Sequence, residues 1–160
     1  MSIGWAWRGL WAAASLLAML PAEAIESQAL GVVQAVPPRI HRVFPCGNWS
    51  QSGHGGYYRV VLADVSGGVG TEVYIQTMQE TVTGANLTLS TLETTPVREL
   101  NDDHGQYLVS SAKCVSKGAK GIVELKATFE HDEGNVAHRI RVVLTAPGSY
   151  KISNTVVRSP

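Results

Sequence analysis

Between Gly55 and Met78 two runs rich in β-branched and aromatic residues flank a turn of small residues. Tyr58, Val60 and Leu62 fall on one face; Tyr57, Arg59, Val61 and Ala63 fall on the other. Further on, Val73 and Ile75 alternate with Tyr74, Gln76 and Met78. Such a period matches a pleated strand, in which successive side chains point to opposite faces. The residues are also β-branched and aromatic types, which pack well on a half-buried sheet surface. Ser66-Gly67-Gly68 between the two runs tolerates positive φ. The stretch therefore predicts a β-hairpin over 56–80.

The same period governs the rest of the chain. Asn86 to Thr91 alternates, with Leu87 and Leu89 on one face. Gln106 to Cys114 puts Leu108, Ser110, Ala112 and Cys114 together. Gly121 to Glu130 turns Val123, Leu125, Ala127 and Phe129 inward and Glu124, Lys126, Thr128 and Glu130 outward. Val136 to Leu144 turns Ile140, Val142 and Leu144 inward, and Tyr150, Ile152 and Val156 mark a last strand. Thr83-Gly84, Asn101 to Gly105, Lys117-Gly118, His131 to Asn135 and Pro147-Gly148 punctuate these runs with turn residues. Ahead of the hairpin the pattern is weaker. Gly31 to Val36 and Arg39 to Phe44 read as strands, and Cys46 to Gly56 reads as a loop rich in glycine and serine. No long segment carries a helical apolar stripe. About eight or nine short strands define an all-β chain, and we read it as an antiparallel β-sandwich in preference to a closed barrel.

The first 24 residues stand apart. Arg8 precedes an apolar run from Leu10 to Leu20, and Pro21 leads to Ala22-Glu23-Ala24. This is the pattern of a secretory signal peptide cleaved after Ala24. The run is shorter than the roughly 20 residues that a membrane-spanning helix needs. Residues 25–160 then form a single domain. The leader removes one base, Arg8, and one acid, Glu23, so the balance of 13 basic and 13 acidic residues stays neutral. A neutral chain lacks the basic surface that nucleic acid or an anionic membrane requires. Export to the periplasm or the medium makes a disulfide the default for Cys46 and Cys114. If successive strands alternate in direction, the loop at 45–55 and the turn at 118–120 share one end of the fold, which lets the two sulfurs meet.

The alternating count places 65–70, 101–105 and 131–135 at the opposite end. Two of these loops are acidic and contain histidine: Asp102, Asp103 and His104, and His131, Asp132 and Glu133. They are the candidate metal ligands, although their spacing matches no standard metal loop and such residues also suit solvated turns. Ser52-Gly53-His54 lacks the elbow that carries a catalytic serine, so no catalytic residue is assigned. Trp49, Tyr57, Tyr58 and Tyr74 lie near one loop and the hairpin. Exposed, they would contact a ligand or a protein; buried, they would be core. Arg39, His41 and Arg42 read as a solvated basic edge. Asn48-Trp49-Ser50 and Asn86-Leu87-Thr88 are glycosylation sequons, used only in a eukaryotic secretory pathway.

The run Gly56-Tyr57-Tyr58-Arg59-Val60-Val61, followed by Glu72-Val73-Tyr74-Ile75-Gln76, resembles the small exported β-sandwich proteins related to the carbapenem self-resistance protein CarG. There a Gly-x-Tyr-Arg-hydrophobic strand leads to a hydrophobic-Tyr-hydrophobic-Gln strand. The resemblance covers about 25 residues. It implies a periplasmic protein that protects against a β-lactam without hydrolysing it. Thr77 stands where the resemblance leads one to expect Trp, and no functional residue is carried over.

The expectation is therefore an exported, non-enzymatic β-sandwich that binds a protein or small ligand, with no cofactor. β-Lactam protection and metal binding through the loops at 101–105 and 131–135 are the alternatives. Intact-mass measurement and N-terminal sequencing of the secreted protein should find Ile25 as the first residue.

Overall fold

A computed structural model describes residues 34–65, 69–102, 105–116, 120–132 and 136–157. The leader over 1–24, the first half of the strand expected at 31–36, and the turn at Ser66-Gly67-Gly68 lie outside them. Gln34 to Val36, which are described, are not strand.

From Pro37 onward the chain is a compact unit of two antiparallel sheets. The first contains β1 (Ile40–Gln51), β2 (His54–Val65), β3 (Gly70–Thr83) and β4 (Asn86–Pro96), in that spatial order. The second contains β5 (Asn101–Asp102), β6 (Gly105–Cys114), β7 (Ile122–Phe129), β8 (Ala137–Ala146) and β9 (Ser149–Val157), again in order. Within each sheet every strand thus pairs with its neighbours in sequence. Such local pairing closes only short loops and costs little entropy.

Inward residues of both sheets meet in one core. The first sheet contributes Cys46, Trp49, Tyr58, Val60, Leu62, Val73 and Ile75. The second contributes Ala112, Val123, Leu125, Ala127, Ile140, Val142 and Leu144. Val60, Val73, Val123, Ile140 and Val142 have no exposed surface. Each such side chain contributes about 1.5–3 kcal/mol relative to an exposed one. The inward faces expected for 58–62, 73–75, 123–127 and 140–144 are the ones observed.

Two expectations need correction. The stretch from Cys46 to Gly56 is not a loop. It is the end of β1, a two-residue turn, and the start of β2, with Gln51 paired to His54. Ser52 and Gly53 both adopt positive φ, 52° and 79°, as a type I′ turn demands. Cross-strand backbone bonds and the buried Trp49 supply what the small residues lack. The second correction concerns β6. A register shift between Val109 and Ser111 turns Tyr107 and Val109 toward the core and leaves Leu108 exposed, so Leu108 does not share a face with Ala112.

The link from β4 to β5 is what moves the chain from one sheet to the other. Beyond Pro96 the strand β3 has lost its neighbour, so Val73 needs new partners. Val97 N–H donates to the Val73 carbonyl at 2.9 Å. The Asn101 amide completes the replacement: its Oδ1 accepts from Val73 N–H at 2.8 Å, and its Nδ2 donates to the Val73 carbonyl at 3.1 Å. Val97 and Leu100 meanwhile plug the core.

Cys46 and Cys114 form a disulfide across the two sheets, with their Cα atoms 5.3 Å apart. Beside it the backbones of Gly47 and Gly121 touch. A Cβ on either would collide with the main chain of the other strand, and Gly47 has φ +76°. The disulfide is compatible with an oxidising compartment. It spans 68 residues of sequence. In the chain-entropy account, a loop of that size stabilises the fold by about 4 kcal/mol. Cys46→Ser with Cys114→Ser should therefore lower unfolding free energy by about 2–5 kcal/mol in urea titrations, with the far-ultraviolet β signal retained below the new midpoint.

Candidate functional site

The register sorts the four candidate aromatics into two pairs. Trp49 and Tyr58 face the core, at 8% and 3% exposure. The Trp49 indole N–H donates to the Met78 carbonyl at 3.0 Å, across the side-chain-free Gly56. These two are structural. Tyr57 and Tyr74 point the other way, onto the outer face of the first sheet, where both are half-buried. Paired with them are Asn48 and Met78 at Tyr57, and Val61 and Pro96 at Tyr74.

That outer face holds an ordered polar row. Arg59 Nε donates to Gln76 Oε1 at 2.7 Å, and Gln76 Nε2 donates to Thr94 Oγ1 at 3.3 Å. The Tyr74 hydroxyl donates to Glu72 Oε2 at 2.7 Å. This bond to a carboxylate, followed by burial, pushes the Tyr74 phenol up to about 12. Where β1 is irregular between Pro45 and Asn48, the face opens into a recess of about 340 Å³ lined by Val43, Pro45, Asn48, Tyr57, Arg59 and Glu80. Beyond the recess, Glu80 and Val82 of β3 pair with Leu89 and Leu87 of β4, so all four share this face. Val43, Val82, Leu87 and Leu89 are 47%, 71%, 60% and 50% exposed. The sequence showed Leu87 and Leu89 on one face; it did not show that nothing covers them.

A second cavity, also about 340 Å³, lies among the end of β2, the start of β3, β5 and the start of β6. Arg39, Thr71, Glu72, Asn101, Asp102 and Gln106 line it. Asp102, expected as a metal ligand, is here. Asp103, His104 and Glu133 lie outside the described residues. Asp132 and His131 do not share the cavity lining: Asp132 bonds His138, and His131 Nε2 lies 3.2 Å from Glu130 Oε1. Among the described residues no three histidine, cysteine or acidic side chains converge as a metal site would need.

His138 was not singled out from the sequence. Extending the inward series of β8 one step back from Ile140 would have found it. It is 6% exposed, and both ring nitrogens are engaged. Nε2 lies 2.5 Å from Asp132 Oδ2, and Nδ1 lies 3.0 Å from Asn154 Oδ1. Asn154 Nδ2 donates to the Tyr107 hydroxyl at 3.2 Å, and the Tyr107 ring packs on Phe129 at 4.8 Å. Burial, then the Asp132 charge, raises the Tyr107 phenol. The arrangement ties β6, β8, β9 and the loop at 130–132 together. His54 is exposed, with Nδ1 3.1 Å from Gln79 Nε2. Ser52 sits in a tight turn, away from any strand-to-helix elbow.

No family model, curated protein or solved structure matches the chain significantly.

The Tyr74–Glu72 pair has a testable pH signature. A phenol raised from 10.0 to about 12 favours folding below pH 10, and that contribution fades as pH climbs toward 12. Tyr58, Tyr107 and Tyr150 are also raised, and in a tyrosinate absorbance titration Tyr74 should ionise late, toward about pH 12. Glu72→Gln should bring it back by about one pH unit or more.

Proposed function

We propose that this is an exported, non-enzymatic binding protein of the periplasm or extracellular space, and that it contacts its partner through the outer face of the first sheet. The observation that carries the reading is the exposed apolar group Val82, Leu87 and Leu89 on this face, together with the exposed Val43 beside the half-buried Tyr57 at the recess. Contiguous exposed apolar surface is expensive in water, and on soluble proteins it marks interaction sites. Tyrosine adds contact area at low entropic cost together with a polar tip. Arg59 is held by Gln76 in a fixed position at the recess, so little ordering remains to be done on binding. The shallow, open shape fits a protein surface better than an enclosed small ligand.

The test is comparative capture from the native periplasm or medium on immobilised mature protein. Val43→Asp with Tyr57→Ala should reduce capture of the specific partner by at least about tenfold, the loss expected for one central anchor. Lys151→Glu, on the second sheet, should leave it unchanged. Capture that ignores the first pair, or that depends instead on Arg39 and Glu72 at the end cavity, would overturn the reading.

A further inference from the structure

We infer that the exposed tip of the β3–β4 hairpin pairs with the same tip of a second copy of this chain, edge to edge, around a two-fold axis at Leu89. This rests on the backbone edge of β4 and does not depend on the partner-binding role of the outer face.

The starting point is that the hairpin outruns its sheet. The pairing of β2 with β3 reaches only as far as Gly56, opposite Gln79, and the chain turns at Ser52-Gly53. Residues 80–83 and 86–89 continue beyond it as a two-stranded ribbon, exposed throughout. An isolated ribbon of this kind is marginal in water without a further strand or a covering layer.

The turn decides which backbone groups are free. Thr83 pairs with Asn86 around Gly84, whose φ is +63°, and Ala85, which has no positive φ. This is a type II′ turn, closed by the bond from Asn86 N–H to the Thr83 carbonyl. Alternation from that closing pair makes Thr81–Thr88 and Gln79–Ser90 the hydrogen-bonded pairs. The amides and carbonyls of Leu87, Leu89 and Thr91 then point away from β3, toward the open edge.

Sheet edges are ordinarily protected by charge, proline or a bulge. The β1 edge has His41, Arg42, Pro45 and two irregularities of register. The β9 edge has Lys151. From Asn86 to Leu92 the edge of β4 has no charge and no proline, and its bulge comes only at the far end, between the pairs Thr77–Glu93 and Met78–Thr91.

Charge selects the occupant. A cationic or anionic partner strand would be matched by opposite charge on β4, and between Gln79 and Leu92 the ribbon has only Glu80, one strand in from the edge. A second copy meets an uncharged edge with an uncharged edge. With Leu89 opposite its counterpart, Leu87 faces Thr91 of the other copy and Thr88 faces Ser90. This supplies up to about six backbone hydrogen bonds in the antiparallel alternation. No acidic residue lies opposite another, since Glu93 falls across from Ala85. Val82, Leu87 and Leu89 of both copies then line one face of a continuous sheet, and the self-complementary geometry closes without leading to fibres.

The mature, disulfide-bonded protein tests this by sedimentation velocity from about 1 µM to about 1 mM, the range in which a small interface dissociates. A reversible monomer–dimer equilibrium is expected. Leu89→Lys and Leu89→Glu should each weaken it at least about tenfold, because like charges would sit directly opposite one another. An equimolar mixture of the two variants should restore a dimer of mixed composition, resolved by native mass spectrometry. Thermal unfolding of each variant, expected to match the parent because the ribbon lies outside the core, shows that the fold is intact. A parent that stays monomeric throughout would overturn the inference. So would a dimer indifferent to Leu89→Lys, or a mixture that stays monomeric. Loss of partner capture with Val43→Asp and Tyr57→Ala, while the dimer persists, bears on the outer face alone.

Discussion

The two sheets are held at one place by chain rather than by side chains. Gly47 of β1 and Gly121, just before β7, come together so closely that neither position has room for a Cβ, and the Cys46–Cys114 disulfide lies beside them. This contact sets the distance between the layers at that end. What packs between them there must fit the space it leaves, and the small Ala112, two residues before Cys114, stands there among larger Val and Leu side chains. Interiors tolerate neither voids nor excess volume without cost. Covalent and steric constraints thus act together, the first on the unfolded chain and the second on the native one.

Elsewhere the chain is tied by polar groups. The β4–β5 link leaves Val73 without a neighbouring strand, and Asn101 supplies one donor and one acceptor in its place. Tyr150 of β9 reaches the same link: its hydroxyl accepts from Arg98 N–H at 2.9 Å and donates to Glu99 Oε2 at 2.7 Å. Burial and that carboxylate raise its phenol. The His138 cluster performs a similar service between β8, β9 and the loop at 130–132. Buried backbone and side-chain polar groups must be satisfied somewhere, and here satisfaction comes from three side chains far apart in sequence.

With the inner faces consumed by the core, the outer face of the first sheet and its projecting hairpin are the surfaces through which we propose that the protein makes its contacts. The division of the aromatics follows from this. Trp49 and Tyr58 sit on inward positions and are spent on packing, while Tyr57 and Tyr74, one strand position away or one strand over, remain at the surface. A pleated strand allows no compromise, because a shift of one residue sends a side chain to the opposite face.

Period-two alternation determined the all-β class, most of the strand boundaries after residue 56, and the inward rows of β2, β3, β7 and β8. These are local properties, set by where adjacent side chains point. Two cysteines in an otherwise strand-built chain also specified the only disulfide available. Tertiary structure decided what local pattern cannot encode. It made a strand of the glycine- and serine-rich stretch from Cys46 to Gly56, because cross-strand backbone bonds outweigh weak intrinsic preference. It placed the bulge that turns Leu108 outward. It brought Asp132, His138, Asn154 and Tyr107 together, since their contact depends on register between strands. Above all it left Val82, Leu87 and Leu89 uncovered: alternation assigns residues to a face, but only the lengths of neighbouring strands determine whether anything lies over that face.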